Sequence, residues 1–373
     1  MAVLFETTEI NGMTLANRLV RSATWEGMCQ DNGRPTQKLI DYCRDLAAGG
    51  VGLIISGYTF VRPDGKQLPR KMGIHTDDYA SDFKRLFRAI HDAGGKMVIQ
   101  LVHAGGQTDS GTAGRRPWAP SAVKVDQFPE TPAALTGDEI DAIVAAFGEG
   151  ARRAKAWGAD GVQLHGAHGY LISQFLSPLT NRRTDDYGGT IENRSRFLMS
   201  VYQRVREAVG PDYPVMIKLN GADNVEGGFV LEDALYAAKT LSDAGIDAIE
   251  VSGGTPASGE KGPARSKIDS PEKEAYHLDL ARAIKERVNC PVMVVGGIRS
   301  RAIAEKVIRD YGIDYAALSR PLIREPGLPN RWKGGDGSRA KCISCNGCFK
   351  PGLKEGGIYC VIEKKERERA EKG

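Results

Sequence analysis

Several features that are missing from the sequence exclude whole classes of protein. There is no run of about 18 consecutive apolar residues, so no transmembrane helix and no membrane partner are predicted. The first residues do not place a basic segment ahead of an apolar core, which predicts a cytoplasmic protein without a secretory leader. The formal net charge is only +4, from 51 basic and 47 acidic residues, and no long basic block occurs. Nucleic acid is therefore not an expected partner.

Cysteine is scarce along most of the chain and concentrated near its C-terminal end. Of the seven cysteines, four form the pattern Cys342-x₂-Cys345-x₂-Cys348-x₁₁-Cys360. This asymmetry argues against a secreted disulfide scaffold and favours a metal site in a reducing compartment. The spacing is typical of a four-thiolate site. Three alternatives are open from the spacing alone: an iron–sulfur cluster, structural zinc, or an empty site.

What the sequence has in abundance is glycine, with 45 residues, many of them at the ends of helical patterns. An amphipathic helix, a glycine and an apolar run of strand length recur in that order. Eight predicted strands end near Thr24, Ser56, Leu101, His165, Leu219, Val251, Val295 and Leu318. Eight such βα units predict a closed (β/α)₈ TIM barrel with its site on the loops that follow the strands. A doubly wound sheet is the alternative, but no Gly-x-Gly-x-x-Gly follows the first strand.

The length of 373 residues leaves room for more than the barrel. We predict the barrel over residues 1–330 and a C-terminal extension over residues 331–373, which carries the cysteines and a charged tail. A β-hairpin is predicted ahead of the first barrel strand, with one arm at Phe5–Glu9 and the other at Met13–Leu15.

The strongest functional signal follows the fourth predicted strand. His165, His168 and Tyr170 lie within six residues there, and Gly166 and Gly169 permit a tight turn. Groups that donate hydrogen bonds or move protons, held at the C-terminal end of a barrel strand, are typical of an active site. Their residue types alone leave acid, base and metal-ligand roles open, and either histidine could instead be a structural residue.

The segment from His165 to Arg196 closely resembles the Old Yellow Enzyme family of FMN-dependent ene-reductases. Within that family it is most similar to the branch of 2,4-dienoyl-CoA reductases and bacterial NADH:flavin oxidoreductases. The likeness runs from about Leu4 to Cys360. Other short segments fit the same family, namely Asn17-Arg18, Ile99-Gln100-Leu101, Val295-Gly296-Gly297-Ile298 and Ser319-Arg320.

The resemblance implies FMN, bound non-covalently at the mouth of the barrel. Its phosphate is expected on the loops after the seventh and eighth strands, at Gly296, Gly297 and Arg320, with Ser319 beside them. Glycine lets backbone N–H groups come close to a phosphate, and a guanidinium can bind a phosphate through two hydrogen bonds. Without the resemblance, a glycine pair after a strand is equally well an ordinary turn.

The resemblance also implies contacts to the flavin ring. Gln100 matches the residue that hydrogen-bonds the pyrimidine edge, and Lys218 matches the basic residue beside N1. A structural salt bridge is the other interpretation of Lys218. Further contacts to the ring are expected from Ser22, Ala23 and Thr24.

The implied reaction begins with reduction of FMN by NADH or NADPH. Hydride then passes to Cβ of an α,β-unsaturated carbonyl compound whose oxygen is polarised by His165 and His168. Tyr170, a neutral phenol, protonates Cα. The expected partners are NAD(P)H, a small activated alkene and further copies of the chain in a homo-oligomer.

Two other functions are open. Dienoyl-CoA reductases carry a similar cysteine set that holds a [4Fe–4S] cluster, although with one more residue between the second and third cysteines. A second function is therefore reduction of 2-enoyl or 2,4-dienoyl thioesters with an external electron donor. A third is a flavin-free barrel in which His165 and His168 bind zinc or a phosphorylated ligand.

Trp25 stands where several relatives carry a Cys, Thr or His below the flavin, so neither redox potential nor substrate preference transfers from them.

Overall fold

The computed structural model describes residues 3–371, and its parallel strands close into the predicted (β/α)₈ barrel. Neighbouring strands pair in parallel around the ring, and pairing of the first strand with the eighth and of the second with the third completes it. The eight barrel strands are Leu19–Arg21, Leu53–Ile55, Met97–Val102, Gly161–Gly166, Val215–Asn220, Ala248–Ser252, Val292–Val295 and Tyr315–Leu318.

Helices connect the strands and cover the outside of the ring. The helices of eight residues or more are Gln37–Ala48, Ala80–Asp92, Gly137–Trp157, Arg196–Val209, Leu231–Asp243, Leu278–Lys285, Arg301–Arg309 and Val361–Ala370. The shorter ones are Ser110–Ala113, Leu171–Leu176, Ile191–Arg194, Arg320–Arg324, Leu328–Lys333 and Phe349–Lys354. Single 3₁₀ turns occur at Val3–Phe5, Pro63–Gly65, Asp77–Tyr79, Pro256–Lys261 and Pro271–Lys273, and short strands at Thr59–Phe60, Trp118–Ala119 and Ala133–Ala134.

The helix Gly137–Trp157, which leads into the fourth barrel strand, shows how local sequence sets the elements. It begins at a capping box, in which Thr136 accepts from the backbone N–H of Glu139 and the Glu139 carboxylate accepts from that of Thr136. It ends at Gly158, whose φ of 105° is readily adopted only by glycine. The buried stripe of this helix packs on the barrel, so both ends and one face fix where the fourth strand starts.

The predicted hairpin is present but shorter than expected. Its strands are Thr8–Ile10 and Met13–Leu15, paired antiparallel, while Phe5, where the first arm was expected to begin, belongs to the 3₁₀ turn Val3–Phe5. Its apolar side chains join a second core inside the barrel. The hairpin therefore closes the N-terminal end of the barrel and leaves only the C-terminal mouth open to ligands.

The first barrel strand also ends earlier than predicted, at Arg21 instead of Thr24. The Thr24 hydroxyl donates to the carbonyl oxygen of Ser22 at 3.0 Å, and residues 22–24 continue as irregular backbone that lines the mouth. Residues 1–2 and 372–373, the outer ends of the two predicted regions, lie outside the described residues. Over residues 3–371, no helix has both the length and the apolar composition needed to cross a bilayer.

Candidate active site

A cavity of about 430 Å³ opens at the C-terminal mouth of the barrel. Its volume lies in the range of small-molecule and cofactor sites. It brings together nearly all the residues that the sequence singled out for the flavin and the substrate, from six barrel strands and the loops that follow them. Those that line it are Ser22, Ala23, Thr24, Gln100, His165, His168, Tyr170, Lys218, Gly297, Ser319 and Arg320. Gly296 is not part of the lining and lies one residue before it, with its backbone against Tyr276 and His277.

His165, His168 and Tyr170 form one aromatic cluster at the wall of this cavity. The His165 ring lies 5.2 Å from that of His168 and 4.6 Å from that of Tyr170, edge to face in both cases. His168 has a φ of 61°, a left-handed conformation that is unusual outside glycine and is common at functional turns. Its Nε2 lies 2.7 Å from the hydroxyl oxygen of Ser252, which fixes the ring.

The two imidazoles are neutral hydrogen-bond donors. Burial, then electrostatic coupling to His168 and Lys218, lowers the pKa of His165 well below its usual value. Burial and Lys218 do the same for the pKa of His168. His165 Nδ1 accepts from the backbone N–H of Ala167 at 3.3 Å, so the neutral ring carries its proton on Nε2. A neutral N–H donor at this position can stabilise negative charge on a ligand oxygen.

Tyr170 is an acid held in its neutral form. Burial raises its pKa to about 12, against opposing hydrogen bonds from Tyr58 and Gln67. The Tyr170 hydroxyl donates to Oε1 of Gln67 at 2.7 Å. The phenol therefore keeps its proton at neutral pH and holds it at the cavity wall.

A buried ion pair crosses from the fifth barrel strand to the sixth. Lys218 and Glu250 are register partners on these strands, and Nζ lies 3.1 Å from Oε1. The side chains are 2% and 0% exposed. Burial lowers the pKa of Lys218, while Glu250 opposes that effect. Nζ also donates to the Ser22 hydroxyl at 2.8 Å, so a hydrogen-bonded positive charge lines the cavity. Both interpretations of Lys218, cofactor contact and salt bridge, are compatible with this position.

Gln100 shows that the cavity suits a polar ring. Its side-chain N–H donates to Oε1 of Gln163 at 2.7 Å, and Gln163 in turn donates to Glu250 at 2.9 Å. The other side of the amide, Oε1, is buried and has no hydrogen-bond partner within residues 3–371. An unpaired buried acceptor is costly unless a ligand donor meets it. The imide N–H of a flavin is such a donor.

At the turn after the seventh strand, the backbone can come close to a second part of the ligand. Gly297 has a φ of 73°, and a Cβ there would lie 2.8 Å from the Tyr276 ring. The guanidinium of Arg320 lines the same part of the cavity, and its Nη1 donates to the backbone oxygen of Arg265 at 2.7 Å and to Asn346 at 2.5 Å. Arg299, which the sequence analysis did not single out, adds a second guanidinium. The sequence signal that could have identified Arg299 was its position two residues after Gly297. This set suits a phosphate.

Sequence reasoning also missed a loop after the second strand. Tyr58 and Gln67 line the cavity beside Tyr170, and both phenol hydroxyls donate to Gln67 Oε1. This segment has no helical or strand periodicity, and the only signal was its polar and aromatic composition after a barrel strand. Phe349 and Leu353 come from the C-terminal segment, which therefore contributes to the cavity wall.

A second cavity of about 470 Å³ adjoins the first and shares Gln107 and Pro256 with it. It lies between the loop after the third strand and that after the sixth. Its lining includes hydroxyl groups and one nearly buried carboxylate, from Ser173, Thr180 and Asp223. The adjoining space would admit a longer ligand than the first cavity alone.

The four clustered cysteines line one small depression that also touches Arg320. Cys342 and Cys348 are buried, and Cys345 is exposed. Within residues 3–371, no three His, Cys, Asp or Glu side chains converge as metal ligation requires. The thiol donors suit a metal centre but are not arranged around one. The predicted cluster or zinc site stays a prediction.

His277, buried behind the cavity, should make stability depend on pH. Neither ring nitrogen has a hydrogen-bond partner among the described residues. Burial, then Arg265 and Lys218, lowers the pKa of His277 to about 3. The unfolded chain thus binds a proton that the folded chain excludes between about pH 6.5 and pH 3, and stability falls as pH drops through that window.

Replacing His277 with leucine should remove this contribution. The free energy of unfolding, measured by urea titration between about pH 7 and pH 5, should fall less steeply in H277L than in the unmodified protein. The expected difference is about 1 kcal/mol per pH unit. Equal slopes for the two proteins would mean that His277 is readily protonated in the folded state.

The sequence of the chain is similar to those of known proteins. Residues 3–337 match the sequence profile described as "NADH:flavin oxidoreductase / NADH oxidase family". A protein called NADH oxidase from Thermoanaerobacter brockii is 40% identical over 350 residues, which are 93% of this chain and 53% of that protein. The chain thus spans about half the length of that relative. A protein called NADPH dehydrogenase from Halalkalibacterium halodurans is 38% identical over 332 residues, 87% of this chain and 92% of that protein.

A solved structure also resembles this fold. A 2-naphthoyl-CoA reductase in complex with 2-naphthoyl-CoA superposes with a TM-score of 0.89 and 28% sequence identity. The match covers 96% of this chain and 56% of that chain. Because the last barrel strand ends at Leu318, a match of this extent includes part of the C-terminal segment.

Proposed function

The chain belongs to the NADH:flavin oxidoreductase / NADH oxidase family, the Old Yellow Enzyme family, and on that premise we propose that it is an FMN-dependent reductase of activated alkenes. The proposed reductant is NAD(P)H, in keeping with the names of its relatives. The proposed substrates are α,β-unsaturated carbonyl compounds.

The observation that carries this proposal is the convergence of three neutral groups on one cavity wall. His165 and His168 offer N–H donors, and Tyr170 lies 4.6 Å from His165 between ring centroids. Donors beside a carbonyl oxygen and a neutral acid nearby are what polar addition of hydrogen across a conjugated double bond requires.

Each of these residues has one task in the proposal. His165 and His168 bind the carbonyl oxygen and stabilise the negative charge that develops on it. Tyr170 holds a proton and gives it to Cα. His165 and Tyr170 are buried, which strengthens their interactions with a ligand.

The same cavity would hold FMN. Gln100 and Lys218, with Ser22, Ala23 and Thr24, would face the ring. Gly296, Gly297, Ser319 and Arg320 would hold the phosphate. When bound, FMN would supply the redox chemistry, by accepting a hydride from NAD(P)H and giving one to the alkene. The unpaired Gln100 Oε1 and the positive charge of Lys218 support this placement.

A second candidate is reduction of an unsaturated thioester, with electrons from an external donor. It is favoured by the second cavity, which adjoins the first and leaves about 470 Å³ for a long acyl carrier. The likeness to a 2-naphthoyl-CoA reductase, which extends into the C-terminal segment, supports the same candidate.

That candidate includes a metal centre in the C-terminal extension, residues 331–373. Cys342, Cys345, Cys348 and Cys360 would ligate a [4Fe–4S] cluster, with structural zinc as the alternative. Support comes from their common depression and from Arg320, which touches both this depression and the active cavity.

Analysis of the purified, unreconstituted protein tests these proposals together. Both reductase candidates require flavin absorbance that NAD(P)H or a chemical reductant bleaches without air, and FMN released on denaturation. Iron and sulfide, with broad visible absorbance beyond the flavin bands, would favour the thioester candidate. Colourless protein without FMN would refute both candidates and favour the flavin-free barrel.

A further inference from the structure

Lys71 is a fully buried amine that has no hydrogen-bond partner among the described residues to offset its burial. Its residue is 1% exposed, and Nζ has no hydrogen-bond partner within residues 3–371. Burial of an unpaired amine costs free energy, and methionine would fill the same space without that cost. The side chain lies just behind the wall that Tyr58 and Tyr170 form in the active cavity.

The backbone holds Lys71 in this place from both sides. The carbonyl oxygen of Arg70 accepts from the N–H of Cys29 at 3.1 Å, and that of Met72 accepts from Phe60 at 3.0 Å. Arg70 itself adopts a left-handed φ of 49°, which turns the chain sharply before the lysine. The loop after the second strand thus returns against itself and places the amine beneath the two phenols.

Distances connect the amine to the proposed proton donor. Nζ lies 3.5 Å from the centre of the Tyr58 ring and 5.6 Å from that of Tyr170. The two phenol rings are 5.2 Å apart, and both hydroxyls donate to Gln67 Oε1, at 2.9 Å and 2.7 Å. A positive charge over an aromatic face is attracted by the ring, and it also stabilises an anion on a neighbouring ring.

The titratable groups around the amine include no carboxylate partner. Lys66 on the same loop acts on Lys71, and Lys71 in turn acts on His103 and His165 from the third and fourth strands. Burial lowers the pKa of both histidines, so neither is expected to carry a positive charge beside Lys71. Two carboxylates of this part of the fold are already paired, Asp64 with Arg62 and His103, and Glu26 with Arg21. An anion on Tyr170 would give Lys71 a negative charge to balance.

We propose that Lys71 is a positioning residue for proton donation, which places a positive charge behind Tyr58 to stabilise the phenolate that forms on Tyr170. This inference rests on the proposed function. As the O–H bond of Tyr170 breaks, its proton forms the C–H bond at Cα, and the electron pair stays on the phenol oxygen. The Tyr58 hydroxyl can donate to that oxygen, whereas Gln67 Oε1 only accepts, and a water proton restores the phenol. Burial holds the pKa of Lys71 well below its usual value, and negative charge that develops on Tyr170 would raise it, because the coupling between the two groups is reciprocal.

The test measures ionisation of residue 170 directly in the holoenzyme. A fluorinated tyrosine incorporated at position 170 brings the phenol titration into an accessible pH range, and its ¹⁹F signal reports the phenolate. In Lys71→Met the titration midpoint should rise by about one pH unit or more, since a positive charge at this distance lowers an acid's pKa by about 1–3 units. Alkene reduction at neutral pH should fall about tenfold.

Lys66→Met is the matched control. Lys66 lies in the same loop, but its Nζ donates to the backbone oxygen of Asp31 at 2.6 Å. It should leave the midpoint within about 0.3 pH units. Lys71→Gln provides a second neutral side chain, which keeps the test decisive if Lys71→Met does not fold.

Two outcomes would overturn the proposal: a midpoint that neither Lys71 variant moves, or one that Lys66→Met moves equally. Because the ¹⁹F titration needs no alkene turnover, its result stands whether or not the protein reduces alkenes. Loss of turnover with an unchanged midpoint would instead assign Lys71 a purely structural role.

Discussion

Replacing Tyr170 with phenylalanine should reduce alkene turnover by about 10²–10⁴-fold, the usual contribution of a positioned general acid. The ring contacts with His165 and Tyr58 survive, because phenylalanine keeps the ring and loses only the hydroxyl. Reduction by NAD(P)H needs no proton from this side chain and should stay within about twofold. Anaerobic stopped-flow absorbance, with each half-reaction followed separately, measures both rates.

Tyr213→Phe is the matched control for this experiment. Tyr213 is also buried, and its hydroxyl donates to the backbone oxygen of Ala159 at 2.9 Å, just before the fourth and fifth strands begin. It lies at the closed end of the barrel, so both half-reactions should be unchanged. If Y170F reduced alkenes at the unmodified rate, Tyr170 could not be the proton donor.

Replacing Lys218 with methionine should destabilise the protein by about 3–5 kcal/mol, because it leaves the Glu250 carboxylate buried without its partner. Glu250 is 0% exposed, so its carboxylate has no direct contact with solvent in the folded protein. Its remaining contacts, from the Ser22 hydroxyl at 2.6 Å and from Gln163 at 2.9 Å, are neutral. Urea unfolding, with and without added FMN, separates loss of the ion pair from loss of a bound cofactor.

The double variant K218M/E250Q distinguishes charge from packing. Glutamine keeps the shape of Glu250 and one acceptor oxygen but removes the charge, so the double variant should recover at least about 2 kcal/mol relative to K218M. If E250Q gave no recovery, the cost of K218M would come from packing, and the description of a charged pair at the cavity would be wrong.

The barrel could be predicted because its signals are local. Gly158 illustrates this. Its φ of 105°, which glycine adopts readily, ends the preceding helix, and the apolar run that follows forms a buried strand. Once eight strands were counted, their C-terminal ends had to share one mouth. His165, Gln100 and Lys218 were therefore expected together, and the structure places all three on one cavity.

Less local features escaped prediction. Tyr58, Gln67 and Lys71 meet at Tyr170 only because a loop of irregular backbone folds back against Phe60, and no periodicity encodes that return. The first strand was predicted too long because its pairing with the neighbouring strands ends at Arg21, which an apolar pattern does not show. Family resemblance named the cofactor, and neither composition nor spacing could have done so.

The central claim is that hydride from NAD(P)H reaches an activated alkene by way of bound FMN. The most direct measurement mixes the protein with one equivalent of NAD(P)H without air, then with 2-cyclohexenone, while flavin absorbance is recorded and the product identified. The account predicts that the absorbance is lost with the nucleotide and returns with the alkene, and that the product is cyclohexanone. Absorbance that the alkene fails to restore, or restoration with an unsaturated alcohol as product, would contradict it.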